Sequence, residues 1–310
     1  MILTVTLNTS IDKLYLLGSI RPETVMRVKE VHNTAGGKGL NVSRVAGKLG
    51  EAVTAAGFVG GFNGSYLESL IDTPLVRCAF TRVKAETRSC INCWDLSCGK
   101  STEYLEPGAP VTAEETARFL EDFDRELPQA DVVAVSGSIP EGVPEDIYCD
   151  LIRRCRRAGT PVLVDTSGSR LTAAVKEKPF FIKPNEDEIA QLTGRAFSSR
   201  QEAVRALVDL HEGGIPCVVL SLGAEGALLA CGEGVFCGKP PKIVPRNTVG
   251  CGDSMVAGFA VGFARRLSAA ESFRMALAVS AASALSLFTG DFNRADYERL
   301  YPEVSVERIL

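Results

Sequence analysis

The chain has 310 residues, 45% of them hydrophobic and 23% charged, and its formal net charge is −4. This length allows one large or two modest domains with a substantial core, and the acidic balance without a basic block makes nucleic acid a poor candidate partner. No apolar run reaches the roughly 18 residues of a membrane-spanning helix, and residues 1–12 lack the pattern of a secretory signal. We therefore expect a cytoplasmic protein with neither a membrane nor a nucleic acid as its partner.

Apolar runs typical of strands alternate with helical patterns along most of the chain. The runs predict strands at 2–7, 53–59, 131–137, 160–165, 180–185 and 217–223. The helical patterns predict helices after the glycine pair at 36–37 and at 113–127, 145–157, 186–193, 199–212, 252–265 and 269–288. Strands separated by helices of this length indicate a parallel sheet that is covered on both faces, which is an α/β fold.

Two segments, 13–31 and 81–104, depart from this alternation. Both lack helical periodicity and have the polar alternation of short, exposed strands. Insertions of this kind on an α/β body are candidates for a lid over a binding site. Because the chain has no repeat and no flexible linker, we expect one body rather than two tethered domains.

Ten cysteines require an interpretation. Cys90, Cys93 and Cys98 begin like a zinc motif, but no second pair follows, and only two histidines could add nitrogen ligands. The segment around Cys90 and Cys93 is more typical of a strand. We therefore interpret the cysteines as reduced and mostly structural, with a zinc site as the alternative.

The segment 247–260 carries the first strong indication of chemistry. The small residues Gly250, Cys251 and Gly252 precede a long apolar helix, so several backbone N–H groups can converge at the N-terminus of that helix and bind an anion. Asp253 follows in the first turn. By itself Asp253 could equally be a helix cap.

A second glycine-rich segment, 35–43, reads AGGKGLNVS, and the sequence also contains SGSIPEG at 136–142, KPNEDE at 183–188 and SLGAEG at 221–226. Together with the GCGD segment, and in this order along the chain, these motifs closely resemble the PfkB (ribokinase-like) carbohydrate kinases. The resemblance implies a ribokinase-like three-layer α/β sandwich with a mainly parallel central sheet and a small β-sheet lid. It implies a single kinase domain over 1–310, with lid strands from about 13–31 and 81–104.

The resemblance also implies catalytic roles. Asp253 would be the general base that takes the proton of the acceptor hydroxyl, and the N–H groups of Gly250, Cys251 and Gly252 would form the anion hole. Cys251 stands where the family usually has alanine, and its small side chain should leave the hole intact.

For the nucleotide, the resemblance implies ATP as co-substrate and Mg²⁺ as cofactor. The motif asparagine and acidic residue match Asn185 and Glu188, which would organise Mg²⁺ through water, although Glu188 could instead be a solvated helix charge. The residues implied to contact the nucleotide are Lys183, Asn185, Ser221, Gly223 and Gly226.

For the acceptor, the resemblance implies contacts around the first strand and the glycine pair. The residues are Asp12, Gly36, Gly37, Lys38, Asn41 and Ser138. Glycine lets the backbone approach a ligand closely. Without the family resemblance, Asp12 would be interpreted as a turn residue after a strand.

Arg27 and Arg88 lie in the two lid segments, where the phosphosugar branch of the family has arginines that can hold a phosphate. The segments LNTSID, GGKGLNVSR and NTVGCGDSMVAGF also resemble the branch of 1-phosphofructokinase and tagatose-6-phosphate kinase, so we expect fructose 1-phosphate or tagatose 6-phosphate as acceptor. The alternative for Arg27 and Arg88 is that they are solvated lid charges. The alternatives are a 6-phosphofructokinase, a ribokinase-type or nucleoside kinase, and a non-catalytic sugar-phosphate sensor. Small lid sheets of this kind are also expected to pair in a homodimer.

Overall fold

The computed structural model describes residues 1–71, 74–197 and 199–310. We number the strands and helices in chain order. The strands of the first half are β1 (Ile2–Thr6), β2 (Ser10–Leu17), β3 (Glu30–Gly36), β4 (Val53–Gly60), β5 (Val76–Val83), β6 (Arg88–Asp95), β7 (Lys100–Leu105) and β8 (Val132–Ser136). Those of the second half are β9 (Val162–Asp165), β10 (Phe181–Ile182), β11 (Cys217–Ser221), β12 (Ala227–Cys231), β13 (Gly234–Lys239) and β14 (Ser305–Arg308).

The α-helices fill the connections between the strands. They are α1 (Lys38–Lys48), α2 (Gly61–Ser69), α3 (Ala113–Glu126), α4 (Ile147–Ala158), α5 (Gly168–Lys176), α6 (Glu186–Thr193), α7 (Arg200–Glu212), α8 (Cys251–Ala264), α9 (Ala269–Ala284) and α10 (Arg294–Leu300). Among the described residues, no helix combines the length and apolarity that crossing a bilayer requires.

Within the described residues, ten strands form a large sheet in the order β14-β13-β12-β11-β10-β9-β8-β1-β4-β5. All neighbours from β11 to β5 run parallel, and β12, β13 and β14 add an antiparallel edge. In register, Ile2 of β1 lies between Val53 of β4 and Val132 of β8. The mainly parallel α/β sheet predicted from the alternation of strands and helices is confirmed.

Helices cover both faces of the large sheet, and each face has its own hydrophobic cluster. Side chains alternate along a strand, so Ile2 of β1 joins the cluster beneath α1, α8 and α9, whereas Leu3 and Val5 join the cluster beneath α3, α4 and α7. Near-continuous apolar strands such as β1 and β4 are required because neither face meets water. The result is three layers with the carboxyl ends of the parallel strands at one edge.

The other four strands of the described part of the chain form a small sheet in the order β3-β2-β6-β7. It matches the predicted lid, but with different bounds. The first lid segment was expected at 13–31, whereas β2 begins at Ser10, residues 18–29 contain no strand and β3 runs from Glu30 to Gly36. In the second segment, residues 81–83 belong to β5 of the large sheet, where buried Thr81 pairs with Phe58.

Sequence periodicity did not single out α2, α5, β5 or the edge strands β12–β14, and it extended the last long helix to residue 288, whereas α9 ends at Ala284. Most of these elements are short, α2 has too little amphipathic contrast to be recognised, and the polar alternation of β5 is equally typical of a lid strand. Cys90 and Cys93 both lie on β6, where residues three apart point to opposite faces and cannot share a metal ion. Among the described residues, no three potential metal ligands lie together, and the ten cysteines are free thiols.

Candidate active site

A cavity of about 570 Å³ lies where the carboxyl ends of the central strands face the small sheet. Both sheets contribute acidic groups to its lining, with Asp12 from β2, Asp165 from the end of β9 and Asp253 from the start of α8. Ligands of open parallel sheets bind beyond the carboxyl ends of the strands, so the topology and the cavity identify the same place. The small sheet forms the wall opposite the large sheet.

Asp253 lies in the first turn of α8 and is 5% exposed. The helix begins after Gly250, whose φ of 81° is in the left-handed region where glycine is favoured. One carboxylate oxygen, Oδ2, accepts a hydrogen bond of 2.7 Å from Asn41 Nδ2. The other oxygen, Oδ1, has no hydrogen-bond partner within the described parts of the chain. Asp253 thus presents one engaged and one free oxygen at the cavity.

Burial, and to a smaller extent the nearby Asp165 carboxylate, raises the pKa of Asp253 to about 6, although Lys38, Asn41 and Lys183 oppose the rise. A carboxylate with a pKa near 6 is mostly ionised at neutral pH and is a stronger base than an exposed aspartate. The arrangement therefore suits proton abstraction from a bound hydroxyl.

Free backbone donors surround the start of α8. The N–H groups of Gly250, Gly252 and Asp253 have no acceptor among the described residues, whereas Cys251 N–H donates to Thr248 O at 3.3 Å. The anion hole expected from Gly250, Cys251 and Gly252 thus has its unengaged donors at Gly250, Gly252 and Asp253. Burial raises the pKa of the Cys251 thiol to about 12, so this side chain adds no charge.

Asp165, which the sequence analysis did not select, is the centre of a buried charge cluster. It is 3% exposed, and its carboxylate lies 3.4 Å from Lys183 Nζ and 3.8 Å from Lys38 Nζ. Burial alone would raise the pKa of Asp165, but the two ammonium groups hold it below its usual value. Its carboxylate in turn raises the pKa of Lys38. Asp165 ends the predicted strand 160–165, so the rule on carboxyl ends could have found it.

Lys183 connects this cluster to the anion hole. A Cβ added at Gly252 would lie 3.2 Å from Lys183 Nζ, so the ammonium is next to a free N–H donor. Lys183 is 6% exposed and lines the cavity. The combination of a buried cation with free N–H groups can stabilise a highly charged anion such as a phosphoryl group.

Asn185 and Glu188 form a capping box at the start of α6. Asn185 Oδ1 accepts from Glu188 N at 2.8 Å, and Glu188 Oε2 accepts from Asn185 N at 2.9 Å. Both residues line the cavity. The cap leaves Glu188 Oε1 and the second lone pair of Asn185 Oδ1 for a ligand. Oxygen donors of this kind fit Mg²⁺ bound through water.

The other residues expected to contact the nucleotide are divided between the cavity and its surroundings. Ser221, at the end of β11, lines the cavity. Gly223 and Gly226 lie in the turn between β11 and β12 and are not part of the lining. Both have positive φ, 55° and 96°, and they shape this turn.

Asp12 and the glycine pair form the wall beside α1. Asp12 Oδ1 accepts a 2.6 Å hydrogen bond from Ser10 Oγ, and burial raises the pKa of the Asp12 carboxyl. A Cβ on Gly36 would lie 2.1 Å from the Asp12 carboxyl group, and Gly37 has a φ of 110°. Any side chain at Gly36 would therefore displace Asp12, which explains the glycine. Asp12, Gly37, Lys38 and Asn41 all line the cavity.

Arg88 and Ser138 lie at the part of the cavity next to the small sheet. Arg88 donates to Glu106 O at 2.6 Å and to Asn8 O at 3.0 Å, while its Nε is buried without an acceptor in the described residues. Ser138 Oγ accepts from Asn8 Nδ2 at 3.2 Å. The structure does not bring Arg27 to this place, because Arg27 is exposed in the 18–29 segment and is not part of the cavity lining.

Two further cations in the lining were missed by the sequence analysis. Lys13 belongs to β2, and Arg170 belongs to α5, which periodicity did not predict. Arg170 Nε is buried without a partner among the described atoms. Arg170 lies shortly after the predicted strand 160–165, so the rule on carboxyl ends could have drawn attention to the segment that carries it.

Comparison with known proteins agrees with the family resemblance found in the sequence. The model of the pfkB family carbohydrate kinases matches residues 5–294. Solved structures of Escherichia coli phosphofructokinase-2, in complex with potassium and with fructose-6-phosphate, are 29% and 28% identical with TM-scores of 0.90 and 0.88, and each match covers 97% of this chain and 98% of that chain.

A Thermotoga maritima protein described as a possible 1-phosphofructokinase is 28% identical with a TM-score of 0.87, and the match covers 100% of both chains. Arabidopsis thaliana ribokinase, in complex with ribose and ATP, is 22% identical with a TM-score of 0.75 over 97% of this chain and 98% of that chain. This last likeness concerns the fold alone, and it confirms the ribokinase-like architecture.

Proposed function

The chain belongs to the pfkB family of carbohydrate kinases and is an ATP-dependent sugar-phosphate kinase, and from this premise we propose that it phosphorylates a free hydroxyl of a phosphorylated ketohexose. The observation that carries the proposal is the position of Asp253, a buried carboxylate with one free oxygen beside unengaged N–H donors at the start of α8. A binding module would gain nothing from a base at this point.

In the proposed mechanism, Asp253 Oδ1 accepts the proton of the acceptor hydroxyl as that oxygen attacks the γ-phosphorus of ATP. The bond from the γ-phosphorus to the bridging oxygen breaks, and ADP leaves with the electron pair. The N–H groups of Gly250, Gly252 and Asp253 and the ammonium of Lys183 stabilise the charge on the transferring group. Asn185 and Glu188 would hold Mg²⁺, which supplies neutralisation of phosphate charge when bound.

The phosphate already present on the acceptor would be held by Arg88 and Ser138. The Arg88 guanidinium is fixed by two backbone carbonyls, and a preorganised planar fork binds phosphate with little loss of side-chain entropy. A neutral sugar would leave this cation without a counter-charge. The proposal is based on Arg88 rather than on Arg27, because Arg27 lies outside the cavity of its own chain.

The acceptors that we propose first are fructose 1-phosphate and tagatose 6-phosphate. The likeness to phosphofructokinase-2 in complex with fructose-6-phosphate supports fructose 6-phosphate as the alternative acceptor. A ribokinase-type activity would not use Arg88, and a non-catalytic sensor would not need Asp253 or the Asn185 and Glu188 pair.

A coupled ADP-release assay tests this proposal with fructose 1-phosphate, tagatose 6-phosphate, fructose 6-phosphate and ribose as acceptors. We expect turnover with at least one phosphohexose, at a kcat/KM well above that for ribose. Preferred turnover of ribose would replace the proposal by the ribokinase type. Binding of a phosphohexose without turnover of any acceptor would favour the sensor.

Glu188→Gln tests the proposed Mg²⁺ site. Glutamine retains an oxygen that can accept from Asn185 N, so the cap of α6 should persist while the charge is lost. We expect the Mg²⁺ concentration for half-maximal activity to rise more than the sugar KM does. Glu115→Gln is the matched control, because Glu115 occupies the same position in the capping box of α3 and does not line the cavity. An unchanged Mg²⁺ titration of the Glu188 variant would leave only the capping role.

We also propose a cytoplasmic single kinase domain that forms homodimers through the small sheet. In the small sheet, Val31 and Tyr104 are 52% and 61% exposed, whereas Leu16 is covered within its own chain and only 8% exposed. A small sheet with uncovered apolar side chains is poorly stable on its own.

Light scattering should therefore report a dimer of this 33.1 kDa chain at micromolar concentration. Val31→Asp should dissociate the dimer, whereas Val244→Asp, at a valine that is 86% exposed outside the small sheet, should leave it intact. A monomeric parent protein, with and without sugar, would contradict the proposed interface.

A further inference from the structure

We propose that Arg44 is a positioning residue that determines which oxygen of Asp253 acts as the base. The inference rests on the proposed function, in which Asp253 takes the proton. Arg44 lies in α1, is 9% exposed and does not line the active-site cavity, so its side chain is not in a position to contact the substrate. It acts through Asn41.

Two hydrogen bonds connect Arg44 to Asp253. Arg44 Nη2 donates to Asn41 Oδ1 at 2.7 Å, and Asn41 Nδ2 donates to Asp253 Oδ2 at 2.7 Å. A guanidinium group can only donate, so the atom of the Asn41 amide that faces it has to be the oxygen. The NH₂ group of the amide then faces Asp253. Arg44 thus fixes the direction of both hydrogen bonds.

The direction of these two hydrogen bonds determines which carboxylate oxygen of Asp253 is free to accept a proton. Because Oδ2 of Asp253 always receives an N–H donor, it would lose that bond if it were protonated, and Oδ1 becomes the more basic oxygen. Oδ1 is the atom without a partner in the described residues. Without Arg44 the Asn41 amide could turn over and present its oxygen to the carboxylate, which would favour the protonated form of Asp253.

Arg44 also contacts the segment 289–290, which lies against the start of α8. Its Nη2 donates to Thr289 O at 2.7 Å, and a Cβ on Gly290 would lie 2.6 Å from Asn41 Oδ1. A Cβ on Gly250 would in turn lie 2.5 Å from Thr289 Cγ2. The amide of Asn41 is therefore enclosed between Arg44 and the backbone at Gly290.

Burying a cation at the position of Arg44 costs free energy unless other groups compensate the charge. Burial lowers the pKa of Arg44, although Asp12, Asp291 and Asp253 oppose this, and its Nε is buried without an acceptor in the described residues. Removing only the cation would leave these carboxylates without their counter-charge, which is expected to destabilise the protein. The guanidinium is hydrogen-bonded to Asn41 and to Thr289 O, so the same contacts that keep it buried also fix the Asn41 amide.

Arg44→Met removes the donors and keeps most of the side-chain length. We expect kcat to fall about tenfold or more, because the reacting groups lose their alignment, while the Kd for ATP stays within about twofold, as distant sites rarely couple strongly. The acid limb of the kcat–pH profile should move to higher pH, since the carboxylate loses a donor. The other charged or titratable groups around Asp253, namely Asp165, Lys38, Lys183 and Cys251, are unchanged in this variant.

Arg265→Met is the matched control. Arg265 also ties α8 to the end of α1, through Leu49 O at 2.9 Å and an ion pair with Glu51, but it does not line the cavity. This variant should lose stability and keep the parental pH profile. Arg44→Lys should restore part of kcat; if Arg44→Met does not fold, the lysine variant alone should still show a smaller shift of the acid limb in the same direction.

A double-mutant cycle with Asn41→Ala tests the route of action. If Arg44 acts through Asn41, Arg44→Met should lower kcat by less than about twofold in the Asn41→Ala background. A full additive loss, or a parental pH profile in the folded Arg44 variants, would overturn the positioning role. Parental kcat in Asp253→Asn would instead overturn the assignment of the base, and with it the proposed mechanism.

Discussion

Asp253→Asn should lower kcat by a factor on the order of 10² or more, the usual scale for the loss of a general base. Asparagine has nearly the same shape but cannot take a proton at neutral pH. Sugar and ATP should still bind, which calorimetry on the variant can verify. In the parent protein, kcat should fall as the pH drops below about 6, because the carboxyl group is then protonated. Phosphorylation at close to the parental rate would exclude Asp253 as the base.

The same substitution should stabilise the folded protein at neutral pH. The pKa of Asp253 is about 6 in the folded state and 3.8 for the unperturbed group, so the folded state binds this proton more tightly than the unfolded state does. The contribution of Asp253 to the free energy of unfolding is therefore greatest below the unfolded value and is lost as the pH rises to 6, by about 3 kcal/mol. Asparagine does not titrate and avoids this loss. Denaturant titration at pH 7 should show higher stability for the variant, and the difference should shrink towards pH 4.

Arg88→Ala should lower kcat/KM for the phosphohexose by at least about tenfold. A charge-assisted contact with a phosphate is worth roughly 1.5–3 kcal/mol, which corresponds to this factor. The Kd for ATP should stay within about twofold. Activity with ribose, if measurable, should not change, because ribose carries no phosphate. Arg88→Lys should restore the activity only in part, since an ammonium group cannot reproduce the planar fork.

The Arg88→Ala experiment needs a control for a general loss of stability. Arg88 also donates to the backbone at Glu106 and Asn8, so its removal can loosen the small sheet and lower the thermal midpoint. Arg82→Ala is a suitable comparison, because Arg82 is an arginine of β5 that pairs with Glu68 away from the cavity. Equal losses in the two variants, or a parental kcat/KM for Arg88→Ala on every phosphohexose, would remove the argument for a phosphorylated acceptor.

Much of the large sheet could be predicted because its determinants are local. The apolar runs that become β1, β4, β8 and β9 are separated by amphipathic stretches, and this alternation admits few topologies other than a covered parallel sheet. The glycine-rich segment before α8 was likewise recognisable, since free N–H groups at a helix start follow from the chain itself. Strand β5 was missed because its half-buried, polar alternation looks the same as that of a lid strand.

The missed site residues depend on contacts that sequence spacing does not reveal. Asp165 ends β9 and Lys183 directly follows the neighbouring strand β10, so their pairing depends on strand order rather than on distance along the chain. The capping role of Glu188 is visible in its spacing from Asn185, but the sequence analysis interpreted Glu188 only as part of a Mg²⁺ site or as a solvated helix charge. Arg27 illustrates the same limit: the sequence gives no direction for its side chain, which is exposed and does not line the cavity of its own chain.

The order of strands in the small sheet constrains how the enzyme folds. Strand β2 pairs in parallel with β6, and between them along the chain lie α1, β4, α2 and β5 of the large sheet body. Closing so long a loop costs entropy that only prior docking of those elements can offset, so the small sheet should assemble after its neighbours in the large sheet. One wall of the active site is then complete only at the end of folding. The chain's single tryptophan, Trp94, lies on β6 opposite Leu16 of β2, so its fluorescence reports this late step separately from the formation of the large sheet.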